Sequence, residues 1–243
     1  MKAMIFAAGL GTRLKPLTDT MPKALVPLAG KTLLQWQVEK LRDAGISDII
    51  VNVHHFPDQI IEAIRANKGW GCNIVVSDER DALLDTGGGL RKAITHQEPI
   101  LACNVDILSN IDIRALIARY EQTGVSQLVV SERTTQRYLC FDEQNRLCGW
   151  TNIATGEYKP SSLQGEVGEK LTKLAFSGMQ ILSPEALRQL DTMPESKFSL
   201  IDFYLRVMDK VPLHAFVPAD YRMMDVGKID EIKKAEQFAA LLA

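Results

Sequence analysis

The sequence has few cysteines and histidines, and their spacing argues against the common metal and disulfide frameworks. Its four cysteines form no CxxC pair, and none has a histidine nearby at the spacing of a zinc site. We therefore expect neither a disulfide framework nor a structural zinc site, and Cys103, in an apolar run, is predicted to be a core residue. The scattered histidines are expected to be structural or exposed: His54, His55, His96 and His214.

Long apolar runs and an excess of charge of one sign are also missing. No window of about eighteen apolar residues occurs, and glycines, Arg13 and Lys15 break the apolar start too early for a signal peptide. The 28 Lys and Arg nearly balance the 30 Asp and Glu, so no overall field attracts nucleic acid or an anionic membrane. These absences predict a cytoplasmic protein with no nucleic-acid and no membrane partner, in which local charges hold any anionic ligand.

The order of apolar patterns along the chain predicts a single α/β domain over residues 1–243. Short Ile- and Val-rich runs alternate with segments of helical period in the first half, which is the order that builds a parallel sheet covered by helices. The predicted strands are 2–8, 48–53, 73–77, 99–106, 127–131, 138–141, 146–150, 173–182 and 213–218. The predicted helices are 33–44, 57–67, 85–94, 113–120, 184–190, 199–210 and 230–242.

The pattern changes after residue 131. The two runs around "DEQN" indicate a β-hairpin, and therefore a small antiparallel portion beside the mostly parallel sheet. The segment 151–170 is polar, contains glycine and has no period, and we predict a mobile loop there.

A Gly-rich stretch, "GLGTRLKPLT", follows the first predicted strand directly. Gly9 and Gly11 would let the backbone approach phosphate oxygens, although a plain strand-to-helix turn is an equal alternative for these glycines alone. The dinucleotide fingerprint fails because Leu14 stands where its third glycine belongs. The Walker A pattern fails because Thr12 and Arg13 follow the second glycine in place of Lys-Ser/Thr.

Three cations lie in or near the same stretch: Arg13, Lys15 and Lys23. A triphosphate carries several negative charges, and transfer at phosphorus spreads charge over its oxygens, so clustered Arg and Lys suit that task. Three prolines stiffen the segment and reduce the cost of ordering it around a ligand. The stretch is typical of a triphosphate site, with a solvated basic loop as the alternative.

Two aspartates are candidates for metal binding. Asp106 ends an apolar strand, where an acid is costly to bury unless it caps, pairs or binds a cation, and where open α/β sheets place ligands. Asp225 precedes the last predicted helix, so helix capping is an alternative for it. Beside a phosphate loop, the two carboxylates together suit a Mg²⁺ ion.

The string G-x-G-T-R-L-x-P-L-T, continuing into P-K-A-L-V-P-L, resembles the nucleotidyltransferase family that joins sugar 1-phosphates to nucleoside triphosphates. The segments "LLDTGGGL", "CNVD", "FSGMQIL" and "DVGKIDE" are also similar, so the resemblance covers nearly the entire chain. It implies a Rossmann-like, mostly parallel sheet with flanking helices (the nucleotide-diphospho-sugar transferase or GT-A-like fold) plus a small antiparallel portion. It also implies a nucleotide-binding half over about 1–110 and a sugar-binding half over about 111–243.

The resemblance further implies roles for single residues. The implied catalytic residues are Arg13, Lys23 and Asp106, and the implied Mg²⁺ ligands are Asp106 and Asp225. Nucleotide contacts are implied for Ala8, Gly9, Gly11, Thr12, Arg13, Lys23, Thr86, Gly87 and Gly88, with the three glycines of "TGGG" letting the base pack against main chain. The implied sugar-site residues are Asn104, Lys170, Lys173 and Gly178, and spacing does not decide which lysine holds the sugar phosphate.

The implied reaction transfers a nucleoside monophosphate from the triphosphate to a sugar 1-phosphate and releases pyrophosphate. With a second pKa near about 6, the phosphate is largely dianionic at neutral pH and needs no base, which agrees with the absence of a recognisable triad. The sequence most resembles uridylyltransferases that use UTP and N-acetylmuramate 1-phosphate in cell-wall synthesis. The features that carry this resemblance are the short chain, the "TGGG" segment and the lack of hexapeptide repeats.

Other substrates and other classes of protein stay open. Mannose or heptose 1-phosphate guanylyltransferases and CTP-dependent phosphocholine cytidylyltransferases are the alternatives among enzymes, and Val105 and Lys228 depart from the commonest family pattern. A non-catalytic regulatory protein with the same fold is the alternative outside enzymes, and a dehydrogenase is a weaker one. The expected partners are a nucleoside triphosphate and a sugar 1-phosphate, and the chain is expected to be a monomer or small homo-oligomer.

Overall fold

The computed structural model describes residues 1–242, so Ala243, the end of the predicted domain, lies outside the described part. The α-helices of the described part are α1 (Leu33–Asp43), α2 (Pro57–Ala66), α3 (Asp85–Ala93), α4 (Ile113–Thr123), α5 (Glu166–Glu169), α6 (Pro184–Arg188), α7 (Leu200–Val207) and α8 (Ile232–Ala239). Its strands are β1 (Lys2–Phe6), β2 (Pro27–Leu28), β3 (Lys31–Thr32), β4 (Asp48–Val53), β5 (Asn73–Asp78), β6 (Ile100–Asn104), β7 (Ile107–Ser109), β8 (Ser126–Ser131), β9 (Arg137–Phe141), β10 (Leu147–Asn152), β11 (Glu157–Lys159), β12 (Thr172–Leu182), β13 (Leu213–Phe216) and β14 (Met223–Asp225).

The first half of the chain builds the parallel part of the main sheet. β1 lies between β4 and β6, with β5 outside β4, and all three pairings are parallel. β1 is buried from Ala3 to Phe6, as a continuous apolar strand between two helical layers should be. The prediction of a mostly parallel sheet with flanking helices is confirmed.

β12 joins the parallel part to the antiparallel portion. It pairs antiparallel with β6, β8 and β9, and β10 and β11 extend the antiparallel portion beyond β9. The register of β12 against β8 shifts between Phe176 and Gln180, where Gly178 has a left-handed φ of 70°. Such a bulge bends a strand and redirects the chain, and here it lies beside the end of β6 where the candidate site opens.

Two apolar clusters cover the two faces of the sheet. Ala3 and Ile5 belong to one cluster and Met4 and Phe6 to the other, because successive strand residues point to opposite faces. Helices α1, α2, α4 and α8 cover the first face, and α3, α6 and α7 cover the second. Cys103 is buried in the first cluster, as predicted. Among the helices of residues 1–242, none combines the length and apolarity needed to span a membrane.

The mobile loop predicted over 151–170 is wrong. β10 continues to Asn152 and pairs with β11 as a hairpin, and the short helix α5 follows. Leu163 and Gly168 are buried, and a Cβ at Gly168 would overlap the ring of Tyr158. Strand pairing and a few close contacts hold the segment, and neither produces a hydrophobic period in the sequence.

Candidate active site

The C-terminal ends of β1 and β6 open into a cleft of about 420 Å³. This is the edge at which open parallel sheets place their ligands. Many of the predicted site residues line the cleft: Gly9, Gly11, Thr12, Arg13, Lys23, Thr86, Asn104 and Asp106.

The loop after β1 is shaped by a left-handed glycine. Gly11 has a φ of 64°, and a Cβ there would lie 2.9 Å from Thr18 Cγ2 and 3.0 Å from Lys23 Cβ, so a side chain is excluded. Gly11 O accepts hydrogen bonds from Thr18 Oγ1 and from Leu14 N, each at 2.8 Å. Leu14, which replaces the third glycine of a dinucleotide site, is buried and anchors the loop in the core.

Lys23 and Asp106 form an ion pair at the floor of the cleft. Lys23 Nζ donates to Asp106 Oδ2, and the two side chains are only 10% and 20% exposed. Because a charge with so little access to water needs a partner, the pair explains how an aspartate can lie just after the buried strand β6.

A two-stranded ribbon brings the second aspartate beside the first. Asp106 directly precedes β7 and Asp225 ends β14, with Asp225 opposite Ile107 in the antiparallel register. Val226 N donates to Asp106 O at 2.8 Å. Burial and, to a lesser degree, the charge of Asp106 raise the pKa of Asp225.

Arg13 approaches this ribbon from the loop after β1. Its Nη2 is 3.9 Å from Asp225 Oδ2. A Cβ at residue 227 would lie 2.9 Å from the same nitrogen, so Gly227 provides the room for the guanidinium. Residues more than 200 positions apart therefore meet at one end of the sheet.

The two carboxylates fit a magnesium ion better than a metal held by protein ligands alone. Within residues 1–242, no group of three or more His, Cys, Asp and Glu side chains is arranged to hold a metal. Mg²⁺ prefers oxygen ligands and is bound by one or two carboxylates together with waters and substrate phosphates. Asp106 and Asp225 supply two such carboxylates, and burial together with the charge of Asp106 raises the pKa of Asp225, so a bound cation would favour its ionised form.

The glycines of α3 are packed against protein and do not line the cleft. Gly87 N and Gly88 N both donate to Phe198 O, at 2.9 and 3.2 Å, and both residues are buried. A Cβ at Gly88 would overlap Ser196 O. Their positions give no support to the prediction that Gly87 and Gly88 contact the nucleotide, and α3 reaches the cleft through Thr86.

The predicted sugar-site residues divide into two groups. Gly178 lies against Asn104, since a Cβ at Gly178 would be 2.9 Å from Asn104 Nδ2, and Asn104 lines the cleft. Lys173 lies outside the cleft lining and over the Tyr158 ring, and a hydrogen bond with Tyr158 raises the pKa of Lys173. Lys170 is exposed at the end of α5. Ala8, a predicted nucleotide contact, is buried between the cleft-lining residues Ala7 and Gly9.

Two side chains of α1 that the sequence reasoning missed hold the ribbon of β7 and β14 in place. Gln37 Nε2 donates to Ile107 O at 2.6 Å, and Lys40 Nζ donates to Ser109 O at 2.6 Å and to Ser109 Oγ at 2.7 Å. Burial lowers the pKa of Lys40 to about 8. A signal was present, because Gln37 is a polar residue on the otherwise apolar face of α1.

Comparison with known families settles the class of this protein. The sequence model of the family described as "Nucleotidyl transferase" matches residues 2–240. The chain belongs to the nucleotidyl transferase family. It is a nucleotidyltransferase, and members of this family are generally dependent on divalent metal ions.

The nucleotidyltransferase is similar to enzymes with different named substrates. It is 31% identical to the N-acetylmuramate alpha-1-phosphate uridylyltransferase of Caulobacter vibrioides, over 84% of this chain and 83% of the relative. It is 30% identical to the mannose-1-phosphate guanyltransferase of Schizosaccharomyces pombe, over 94% of this chain but only 61% of that longer protein. The UDP-glucose pyrophosphorylase of Acinetobacter baumanii shares the fold, with a TM-score of 0.77 at 18% identity over 99% of this chain and 93% of that structure.

Proposed function

We propose that this nucleotidyltransferase transfers a nucleoside monophosphate from a nucleoside triphosphate to a sugar 1-phosphate and releases pyrophosphate. One observation carries the proposal: Arg13, Lys23 and Asp106 line a single cleft, and the β7–β14 pairing places Asp225 next to it, 3.9 Å from Arg13. Arginine and lysine side chains can neutralise the charge of the substrate phosphates. The two carboxylates can bind the metal ion that accompanies a nucleoside triphosphate.

The chain's own residues then act by binding and by charge. The loop from Gly9 to Arg13 holds the triphosphate through its amides and the guanidinium, and Lys23 adds a second cation at the cleft floor. A sugar-phosphate oxygen attacks the α-phosphorus, the bond to the leaving pyrophosphate breaks, and Arg13 stabilises the charge that develops on the phosphoryl oxygens. Asp106 and Asp225 would hold Mg²⁺, which supplies charge neutralisation for the phosphates when bound.

We infer UTP and N-acetylmuramate 1-phosphate as the substrate pair. The support is the similarity to the Caulobacter enzyme over more than four fifths of both chains. GTP with mannose 1-phosphate is the second candidate, because the similarity to the yeast guanyltransferase spans 94% of this chain. A cytoplasmic role in cell-wall precursor synthesis, and a monomeric or small homo-oligomeric state, stay predictions.

The test measures pyrophosphate release with UTP, GTP, CTP and dTTP against N-acetylmuramate 1-phosphate, mannose 1-phosphate, a heptose 1-phosphate and phosphocholine. We expect UTP with N-acetylmuramate 1-phosphate to give the highest kcat/KM. No release with any pair would overturn the proposed transfer, and a faster rate with another pair would replace the proposed substrates.

The metal assignment is tested on two variants and a matched control. Asp106→Asn and Asp225→Asn should lower turnover and raise the Mg²⁺ concentration needed for half-maximal rate, because each removes a charged oxygen ligand. Asp81→Asn, at an exposed aspartate outside the cleft lining, is the control and should change neither. Wild-type activity of both site variants at limiting Mg²⁺ would show that the assignment is wrong.

A further inference from the structure

A buried carboxylate without a cationic partner lies behind the cleft. Glu79 follows β5 and is 1% exposed, and within residues 1–242 no ion pair involves it. Gly89 of α3 packs directly against it, since a Cβ at Gly89 would lie 2.6 Å from Glu79 Oε1. Because burying an ionisable group is costly unless its hydrogen bonds are made, the contacts of Glu79 indicate what it does.

Glu79 belongs to a chain of three hydrogen bonds that connects two segments of the cleft lining. Ala7 N donates to Asn52 Oδ1 at 2.8 Å, and Asn52 Nδ2 donates to Glu79 Oε1 at 2.8 Å. Leu84 N donates to Glu79 Oε2 at 3.1 Å. Ala7 begins the loop after β1 and lines the cleft, and Leu84 lies two residues before Thr86, which also lines it. Asn52, at 2% exposure, and Glu79 themselves lie outside the lining.

The direction of these hydrogen bonds is set by their two ends. Both ends are main-chain N–H groups, which can only donate. Ala7 N–H therefore donates to the amide oxygen of Asn52, which directs the amide NH₂ of Asn52 toward Glu79. Leu84 N–H donates to the second carboxyl oxygen of Glu79. Position 79 must accept at both oxygens, which a carboxylate does and a glutamine amide cannot.

We propose that Asn52 and Glu79 are positioning residues that set the spacing between the phosphate loop and the Thr86 segment of the cleft lining, and so the affinity for the nucleoside triphosphate. They act through Ala7 N and Leu84 N without touching substrate. The inference rests on the proposed function only in taking the cleft as the nucleotide site.

A pair of substitutions tests the direction of the hydrogen bonds. Glu79→Gln places an NH₂ group against an N–H donor, and Asn52→Asp places a carboxylate against the carboxylate of Glu79. In the double variant, the new carboxylate at position 52 accepts from Ala7 N and from the new amide at position 79, whose oxygen accepts from Leu84 N. All three hydrogen bonds return, with the total charge unchanged.

Steady-state kinetics and thermal unfolding are measured on each variant. Each single variant should raise the KM for the triphosphate about tenfold or more, with little change in the KM for the sugar phosphate, and the double variant should return close to the wild-type value. Glu98→Gln, at a carboxylate 63% exposed before the N-terminal end of β6, is the control and should behave as wild type. A folded double variant as impaired as the single variants, or equal increases in both KM values, would overturn the proposal.

A measurement on the wild type keeps the proposal testable if a single variant does not fold. The amides of Ala7 and Leu84 should exchange slowly with deuterium and slow further by a common factor when a non-hydrolysable triphosphate is added. Asn73 N, bonded to Ser47 O at the far end of the sheet, should not respond. Independent responses of Ala7 and Leu84 would contradict the coupling. If no substrate pair is turned over, the proposed function fails, whereas calorimetric titration of the same variants with the triphosphate still tests the coupling.

Discussion

Glycines near the cleft are required for two different reasons. Gly9 lines the cleft, and no atom lies within 4 Å of a Cβ built on it, so its absent side chain leaves space for a ligand. Gly88 is buried, and its absent side chain leaves space for Ser196 O. The same residue type therefore serves binding at one position and packing at the other, and only the surroundings of each glycine distinguish the two.

Matched alanine substitutions should separate these two roles. Gly88→Ala should lower the free energy of unfolding by about 1–3 kcal/mol, because the methyl group meets backbone that cannot move away easily. Gly9→Ala should leave that free energy within about 0.5 kcal/mol and weaken triphosphate binding. Urea denaturation and calorimetric titration measure the two quantities. Equal destabilisation by both substitutions would contradict the assignment.

Between elements, the contact of α1 with β7 supports the candidate metal site. Gln37 and Lys40 donate to main-chain oxygens of β7, the strand that directly follows Asp106 and pairs with the strand carrying Asp225. Helix α1 therefore holds the ribbon through its hydrogen bonds to β7. Lys40 is held there at a cost, since burial lowers its pKa to about 8 from an ordinary value of 10.5.

The shifted pKa of Lys40 predicts a pH dependence of stability. Between about pH 8 and 10.5 the unfolded chain keeps a proton on Lys40 that the folded chain has lost, so stability should rise with pH across this interval. Relative to Lys40→Met, the free energy of unfolding of the wild type should increase by about 3 kcal/mol across this interval. Below the pKa of Lys40 in the folded protein, the difference between the two proteins should be constant.

Urea denaturation of the wild type and of Lys40→Met from pH 7 to pH 10 checks this prediction, and the comparison cancels the titration of other groups. A difference in unfolding free energy that does not change with pH would contradict a lowered pKa for Lys40.

On the scale of the whole molecule, β12 connects the two predicted halves. It runs from residue 172 to 182, yet it pairs with β6 of the first half and with β8 and β9 of the second. Both apolar clusters also draw residues from both halves, such as Met4 and Phe203 in one of them. Neither half therefore has a complete core of its own.

We expect the chain to unfold in one cooperative transition. Trp36 and Trp70 report on the first half, and Trp150 reports on the second. In Trp150→Phe, and in the double variant Trp36→Phe/Trp70→Phe, the urea midpoint by fluorescence should equal the midpoint by far-UV circular dichroism of the same variant. Separate midpoints would show that the halves unfold independently.

The sequence by itself determined the features that depend on local pattern. The alternation of apolar runs predicted the parallel core, and the residue types at Arg13, Lys23 and Asp106 marked them as candidates for the cleft that they line. Apolar periodicity and the residue types at strand ends are both visible within a short stretch of sequence, so these features could be predicted without the fold.

Tertiary structure alone decided the features that depend on distant partners. These features are the strands and helix within 151–170, the burial of Gly87 and Gly88 against Phe198, the pairing of β7 with β14, and the hydrogen bond from Asn52 to Glu79. Each depends on contacts between residues that are not adjacent in the chain. None of them has a period or a local motif. Their physical basis is packing and hydrogen-bond direction between elements, which exist only once the chain has folded.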